Sequence, residues 1–264
     1  MTPVEVTRGN SPVVLGLPHT GTWLPDAIRN QLNERGQELD DTDWHVHTLY
    51  EGLLECATMV RATFHRYAID ANRDPSGQSL YPGQNTTGLV PKTDFDGNPI
   101  WIKAPTAEEI EVRRLAFHAP YHAALEAELR RVHAQHGVAI LYDCHSIRSD
   151  IPFLFDGTLP DFNIGTNMGR TCAPSIETAV LEICEETDSY SSVLNGRFKG
   201  GWTTRYYGRP SEGLHAIQME LAQSTYLASE TTPWTLDPGK ARHLRIPLSK
   251  ILSRLDTMTR EGIL

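Results

Sequence analysis

Residues 138–142, Val-Ala-Ile-Leu-Tyr, form a short apolar run that leads directly into a cluster of polar residues at 143–150. Its β-branched and aromatic members, preceded by Gly137, predict a buried strand that ends at Tyr142. Open α/β sheets bind their ligands just past the carboxyl ends of such strands. The chain is therefore predicted to build an α/β sheet that delivers His145 to a site, where it is a candidate metal ligand.

A second segment repeats this pattern. Residues 13–17, Val-Val-Leu-Gly-Leu, are followed by Pro18 and His19. Two strand ends that each deliver a histidine predict one shared site, because the carboxyl ends of parallel strands meet at one edge of a sheet.

The bulk composition is that of a globular enzyme. The chain has 264 residues, of which 39% are hydrophobic and 22% charged, and neither repeats nor a clear domain boundary interrupt it. This length suits one large or two small domains, and we expect a single domain, 1–264. The net charge of −9 and the lack of a basic stripe argue against nucleic-acid binding. Local arginines can still bind an anionic substrate.

The compartment is inferred from the N-terminus and the cysteines. No long apolar segment opens the chain and no window approaches a membrane span, so we expect a cytoplasmic protein without membrane contact. The cysteines, at 56, 144, 172 and 184, show no CxxC spacing and are expected to be reduced. A nucleophilic Cys144 is disfavoured, because on a continuing strand it would face away from His145.

Several helices and loops frame these strands. The pattern predicts helices at 25–33, about 44–57, 106–136 with a break at Pro120, 174–187 and 237–264. It predicts strands within 58–70, at 152–155, within 159–166 and at 214–221. Residues 76–105 are rich in Gly, Pro, Asn and Thr and are interpreted as a lid or binding loop. The histidines of the long helix, at 118, 122, 133 and 136, are interpreted as decorating its solvated face.

Two acidic positions are candidates for the same site. Asp43 precedes the helix near 44–57, where it can act as an N-cap or as a metal ligand, and the sequence favours neither. Glu220 lies at the carboxyl end of the strand 214–221. An acid on a core strand is costly unless it is paired, linked to a metal or poised for proton transfer.

Arginines supply candidate anion-binding groups. Arg73, beside Asn72, is suited to grip a carboxylate in a bidentate fork, although a surface pairing with Asp70 or Asp74 is the simpler alternative. The basic loop 195–202 lacks the GxxxxGK[ST] pattern, so it does not predict a nucleotide site. It can still close over a small anion.

His19, Asp43, His145 and Glu220 together fit the requirements of a catalytic zinc site. Such a site takes three protein ligands from His and Asp/Glu, and a nearby carboxylate moves protons. The absence of HExxH excludes a helix-borne zincin site. A Ser-His-Asp site through Ser146 is disfavoured, because there is no G-x-S-x-G elbow.

Seven segments in order along the chain carry a family resemblance. They are 18–21 (PHTG), 41–46 (DTDWHV), 70–73 (DANR), 80–84 (LYPGQ), 143–149 (DCHSIRS), 195–201 (NGRFKGG) and 219–223 (MELAQ). Together they resemble the N-formylglutamate amidohydrolase family over nearly the whole chain. The resemblance implies hydrolysis of N-formyl-L-glutamate to formate and L-glutamate, a last step of histidine breakdown. It also implies a zinc-carboxypeptidase-like (zinc exopeptidase-like) three-layer architecture, a mixed sheet flanked by helices.

The resemblance also assigns roles to individual residues. It implies that His19, Asp43 and His145 bind one zinc ion and that Glu220 is the general base. The pair Asn72–Arg73 is similar to the carboxylate-binding Asn-Arg of zinc carboxypeptidases. The candidates for the second carboxylate of the substrate are Arg148, Arg197 and Arg205.

The sequence leaves some alternatives open. His47 stands where an acid is expected in this family, and Asp41 is an alternative ligand to Asp43. Other divalent ions also suit a His2Asp site. The competing functions are hydrolysis of another N-acyl amino acid, a carboxypeptidase-like activity, and a non-catalytic module that binds small anions. The oligomeric state is open.

Overall fold

The computed structural model describes residues 2–79, 83 and 85–264, and these residues form a mixed sheet of seven strands. The strands are β1 Val4–Thr7, β2 Val13–Leu17, β3 Thr58–Ala62, β4 Ala139–Ile147, β5 Phe162–Gly165, β6 Ser192–Leu194 and β7 Leu214–Ala222. Their order across the sheet is β1-β3-β2-β4-β7-β5-β6. The central strands β3, β2, β4 and β7 are parallel, whereas β1 and β5 run antiparallel to β3 and β7. The predicted α/β class with a mixed sheet is confirmed.

Helices cover both faces of this sheet. They are α1 Asp26–Arg29, α2 Glu34–Glu38, α3 Val46–Tyr50, α4 Ala107–Arg113, α5 Ala119–His136, α6 Pro174–Glu185, α7 Trp202–Tyr207 and α8 Pro238–Arg260. On one face α3, α6 and α8 pack in one apolar cluster, and on the other α5 packs in a second. The side chains of β4 alternate between the two clusters, as a strand with a period of two must. A helix that is both long and apolar enough to cross a bilayer is absent from the described part of the chain.

The long predicted helix is interrupted near Pro120. A capping box between Thr106 and Glu109 starts α4, and a π-helical turn, Arg114–His118, joins it to α5. Pro120 has no N–H to donate to the carbonyl four residues earlier, so the preceding turn can widen. The predicted break is thus a π-turn that keeps the chain helical.

Strand β4 is longer than predicted. It runs to Ile147 because all of its residues from Ala139 pair with β7. The polar residues of the central motif therefore lie on the strand itself and not beyond its end. Cys144 lies in an apolar cluster on the face opposite His145, which agrees with its exclusion as a nucleophile.

Other differences are local. The helix predicted at 44–57 spans only Val46–Tyr50, and the predicted strand at 152–155 is a turn. The described residues of 76–105 contain isolated bridges but no longer strand or helix, as predicted for a loop. Of the 80–84 motif only Gly83 belongs to the described residues, so that motif otherwise lies outside them.

Candidate metal centre and active site

The three candidate metal ligands converge from separate elements. His19 follows β2, His145 lies on the adjacent parallel strand β4, and Asp43 lies in the turn before α3. Nδ1 of His19 lies 3.2 Å from Nδ1 of His145, and Oδ2 of Asp43 lies 3.7 Å and 3.3 Å from these two nitrogens. All three side chains are buried. The group could hold one metal ion.

These separations fit a tetrahedral zinc site. Zinc bonds of about 2.0–2.1 Å to nitrogen and oxygen place the corners of a tetrahedron about 3.3–3.4 Å apart. The observed separations of 3.2, 3.3 and 3.7 Å bracket that value. The donor set and its spacing therefore match one small divalent cation.

The protonation of the two imidazoles also favours a cation. Nε2 of His19 lies 2.7 Å from Oδ1 of Asp70, and Nε2 of His145 lies 3.1 Å from Oδ1 of Asp143. At His19 the hydrogen bond to Asp70 holds the proton on Nε2 and leaves Nδ1 as a lone pair. That lone pair and the Asp43 carboxylate oxygen face Nδ1 of His145 in a buried space, an arrangement that a positive charge between them stabilises.

Electrostatics within the group follow from burial and these carboxylates. Burial, with Arg66 nearby, lowers the pKa of His19 to about 4. Burial acts in the same direction on His145, but Asp143 and Asp43 outweigh it and raise the pKa of His145 well above its usual value. His19 is therefore neutral, as a metal ligand must be, and the proton on His145 competes with a metal ion.

Asp43 belongs to the candidate ligand group and does not cap α3. Its Oδ1 accepts from Arg66 Nη2 at 2.6 Å and its Oδ2 accepts from the Ser146 N–H at 3.2 Å. The residue that caps α3 is His45, which has a positive φ of 59°. Burial raises the pKa of Asp43, but Arg66 and the two histidines together outweigh it and keep that pKa below its usual value.

Asp41 and His47 lie outside the ligand group. Asp41 accepts from the Tyr67 hydroxyl at 2.8 Å and from the Phe95 N–H at 3.2 Å. Both of its oxygens are thus used in buried hydrogen bonds to other segments. His47 lines a separate groove beside β1 and β3. Of the two aspartates, Asp43 is the one that the fold brings to both histidines.

Glu220 lies next to His145. The two residues pair directly between β4 and β7, so their side chains project from the same face of the sheet. Oε2 of Glu220 accepts from Gln218 Nε2 at 3.1 Å, while Oε1 of Gln218 accepts from the Gly201 N–H at 2.7 Å. Burial raises the pKa of Glu220 from 4.5 to about 7. A carboxyl group of that kind can exchange protons near neutral pH.

Three of these residues, His19, His145 and Glu220, line one cavity. Its lining contains three arginines as well, at 66, 73 and 197. The wall also includes the polar residues 85–87 and the glycines 200 and 201. Three cations around a small cavity attract anions.

The pair Asn72–Arg73 is fixed on several sides. Oδ1 of Asn72 accepts from the Thr203 N–H at 2.9 Å, and its Nδ2 lies 3.2 Å from Nε2 of His145. Arg73 donates from Nε to the Thr87 carbonyl, from Nη1 to its neighbour's carbonyl and from Nη2 to the Thr87 hydroxyl. A guanidinium has five N–H groups, so these hydrogen bonds leave one on each Nη. Nη1 also lies 3.7 Å from Oδ2 of Asp70, the pairing that the sequence offered as the simpler alternative.

The other predicted arginines are placed differently. Arg197 lines the cavity and donates to the carbonyls of Leu154 and Asn85, both at 3.0 Å. Arg148 pairs with Asp96 at 2.8 Å, and Arg205 donates to the Gly200 carbonyl at 2.8 Å. Neither Arg148 nor Arg205 is among the described residues that line the cavity. Their substrate-binding role stays a prediction, and the geometry favours Arg197.

Sequence reasoning missed several residues of the site. Asp143 could have been found, because a strand places it on the same face as His145 two residues later. Asp70 was interpreted only as a partner for Arg73. Arg66 and Gln218 carry no local signal, since only the fold brings them to Asp43 and Glu220.

Fold and site together define an α/β protein with a candidate divalent-metal site in a cavity that attracts anions. Residues 11–227 match the family model of N-formylglutamate amidohydrolase, and the chain belongs to this family. Among curated proteins it is 45% identical over 251 residues to the N-formylglutamate deformylase of Pseudomonas putida, covering 94% of this chain and 93% of that protein. It is 44% identical over 258 residues to the N-formylglutamate deformylase of Pseudomonas aeruginosa, covering 96% of each.

Solved structures share the fold. The crystal structure of N-formylglutamate amidohydrolase from Ralstonia eutropha JMP134 is 26% identical, with a TM-score of 0.83 over 99% of this chain and 100% of that one. The crystal structure of gene product Atu2144 from Agrobacterium tumefaciens is 17% identical, with a TM-score of 0.69 over 97% and 95% of the two chains. The second likeness concerns the fold alone.

Proposed function

We propose that this chain is a cytoplasmic, metal-dependent amidohydrolase that converts N-formyl-L-glutamate to formate and L-glutamate in histidine breakdown. The names of the two curated relatives support the substrate. The observation that carries the chemistry is the His19–Asp43–His145 group, which lies beside buried Glu220 in a cavity lined by arginines.

His19, Asp43 and His145 would hold one zinc ion or a related divalent ion. When bound, such an ion lowers the pKa of a water molecule and polarises a carbonyl. Asp70 and Asp143 orient the two imidazoles and raise their basicity, and Arg66 and the Ser146 N–H orient the carboxylate.

Glu220 would act as the general base. It takes a proton from the attacking water as the oxygen bonds to the formyl carbon, and it returns that proton to the amide nitrogen as the C–N bond breaks. The products are formate and L-glutamate, whose freed amino group carries the returned proton. Gln218 keeps the carboxylate in place by its hydrogen bond to Oε2. Nε of Arg66 has no hydrogen-bond partner among the described residues and can stabilise negative charge that develops on the carbonyl oxygen.

The substrate's two carboxylates match the cationic lining. Asn72 and Arg73 would bind one of them, since Arg73 keeps one N–H on each Nη for a bidentate contact. Arg197 is the best placed of the candidates for the other, and Arg148 and Arg205 are alternatives. Two cationic anchors would select a dicarboxylate over an N-formyl amino acid whose side chain is uncharged.

The domain organisation and the layer arrangement are part of the same proposal. We infer one domain over 1–264, with a three-layer arrangement like that of zinc carboxypeptidases. The helix layers on both faces of the sheet support this likeness. The proposed partner is the small N-acyl amino acid alone, without nucleic acid or membrane.

The test is formate release by the purified protein from N-formyl-L-glutamate, with N-acetyl and N-succinyl glutamate and N-formyl forms of other amino acids as a panel. We expect N-formyl-L-glutamate to have the highest kcat/KM. Faster turnover of another acyl group or amino acid would redirect the substrate assignment. No turnover of any member, by protein that binds a divalent metal ion, would favour the non-catalytic module.

Replacing Arg73 with Ala is expected to raise KM for N-formyl-L-glutamate about a hundredfold with a smaller change in kcat, because two charged hydrogen bonds are lost. Arg73→Lys keeps the charge but not the fork and should recover only part of the affinity. Steady-state kinetics measure both. Arg130, an exposed arginine on α5, provides the control as Arg130→Ala. An unchanged KM in Arg73→Ala would remove Arg73 from substrate binding.

A further inference from the structure

Two buried histidines of the long helix contact the main chain on either side of Asn72. Nε2 of His118 lies 3.0 Å from the Arg73 carbonyl oxygen, and Nε2 of His122 lies 2.8 Å from the Ala71 carbonyl oxygen. Their exposed fractions are 3% and 9%, so these histidines do not decorate a solvated face as the sequence suggested.

The π-turn before α5 and the first turn of α5 present both rings to this segment. His118 ends the π-turn and His122 follows four residues later, so the two rings lie on one face with their centroids 4.3 Å apart. Trp202 of α7 packs against both, at 5.6 Å from His118 and 4.8 Å from His122. The next residue, Thr203, donates its N–H to Asn72.

The hydrogen-bond directions are set by chemistry. A carbonyl oxygen only accepts, so each Nε2 must carry a proton. The Tyr207 hydroxyl lies 3.0 Å from Nδ1 of His122 and 3.3 Å from the His122 carbonyl oxygen, to which it can donate. Burial lowers the pKa of His122 to about 3 and also lowers that of His118, so both rings are neutral donors.

We propose that His118 and His122 are positioning residues for the carboxylate-binding pair, because their Nε2–H groups hold the carbonyls on both sides of Asn72 and so fix where Asn72 and Arg73 point. The proposal rests on the proposed function, in which this pair binds the substrate. The side-chain contacts of Arg73 to Thr87 fix only the guanidinium. The backbone from which it projects is held through its N–H groups by Asp70 and through its carbonyls by the two histidines.

The experiment compares variants that keep or remove a donor at the Nε2 position. His118→Leu and His122→Leu remove it, whereas His118→Gln places an amide N–H near the same point. We expect each Leu variant to raise KM for N-formyl-L-glutamate about tenfold with little change in kcat, because a buried carbonyl loses its partner. His118→Gln should restore most of the affinity. His133→Leu, on the same helix but away from the cluster, is the control.

A double-mutant cycle separates positioning from a general loss of structure. In an Arg73→Ala background, His118→Leu should raise KM by much less than it does alone, because the pair it positions is already disabled. Fully multiplicative effects, an unchanged KM in either Leu variant, or no restoration by His118→Gln would overturn the proposal. If His118→Leu does not fold, His118→Asn replaces it, since its shorter amide does not reach the Nε2 position.

A binding measurement separates failure of the proposed function from failure of the positioning role. Affinity for glutarate, a dicarboxylate without an acyl group, is measured by calorimetry on wild type and variants. Wild type that binds glutarate but releases no formate would contradict the proposed function alone, and weaker glutarate binding by the Leu variants would still support the positioning role. Wild type that neither releases formate nor binds glutarate would contradict both.

Discussion

Glu220→Gln is expected to lower kcat for N-formyl-L-glutamate by about 10²–10⁴-fold, the usual contribution of a positioned general base. The amide is nearly the same size as the carboxylate but cannot accept a proton from water at neutral pH. Since Glu220 is not among the proposed metal ligands, metal content and KM should stay close to those of wild type. Steady-state kinetics measure kcat and KM, single-turnover kinetics measure the chemical step, and metal analysis of the same sample measures the metal content.

The control for this variant is Glu212→Gln, because Glu212 is an exposed carboxylate paired with Arg209. It should behave as wild type. A Glu220→Gln enzyme with a wild-type rate would remove Glu220 from the mechanism. Loss of the metal in that variant would instead make Glu220 a metal-binding residue.

His145→Ala is expected to abolish metal retention and to lower activity by about a thousandfold or more, because the stabilisation that a metal supplies is worth several kcal/mol. The substitution removes one of three donors and also leaves Asp143 as a buried carboxylate without the imidazole. Metal content per chain and formate release measure the two effects.

His47→Ala is the control for this variant, since His47 lies in the groove beside β1 and β3. It should keep both metal and activity. A His145→Ala protein that retains the metal at wild-type affinity would show that the ion binds elsewhere.

The two histidines of the candidate metal site could be predicted from the sequence because each comes shortly after a strongly apolar run of residues. Val13–Leu17 identified β2, and the run before Asp143 identified β4, so both His19 and His145 were placed at one edge of one sheet. Asp43 was undecided between cap and ligand. The fold favours the ligand role, because it brings both histidines close to Oδ2 of Asp43, whereas the cap position of α3 is His45.

The groups that support the ligands could not be found in this way. Asp70, Arg66 and Gln218 act through contacts between distant segments, and periodicity carries no information about such contacts. His118 and His122 were misinterpreted for a related reason. A helical pattern assigns faces by regular spacing, whereas a π-turn at Arg114–His118 rotates the following residues relative to a regular helix.

The central claim is that His19, Asp43 and His145 together hold one divalent ion that hydrolysis requires. The most direct test is to remove metal with a chelator, add zinc back in steps, and follow formate release from N-formyl-L-glutamate. The account predicts that the chelated protein is inactive and that activity rises with added zinc until about one equivalent per chain is bound. Full activity in protein shown to contain no metal, or zinc binding at one equivalent that is unaffected by His145→Ala, would contradict it.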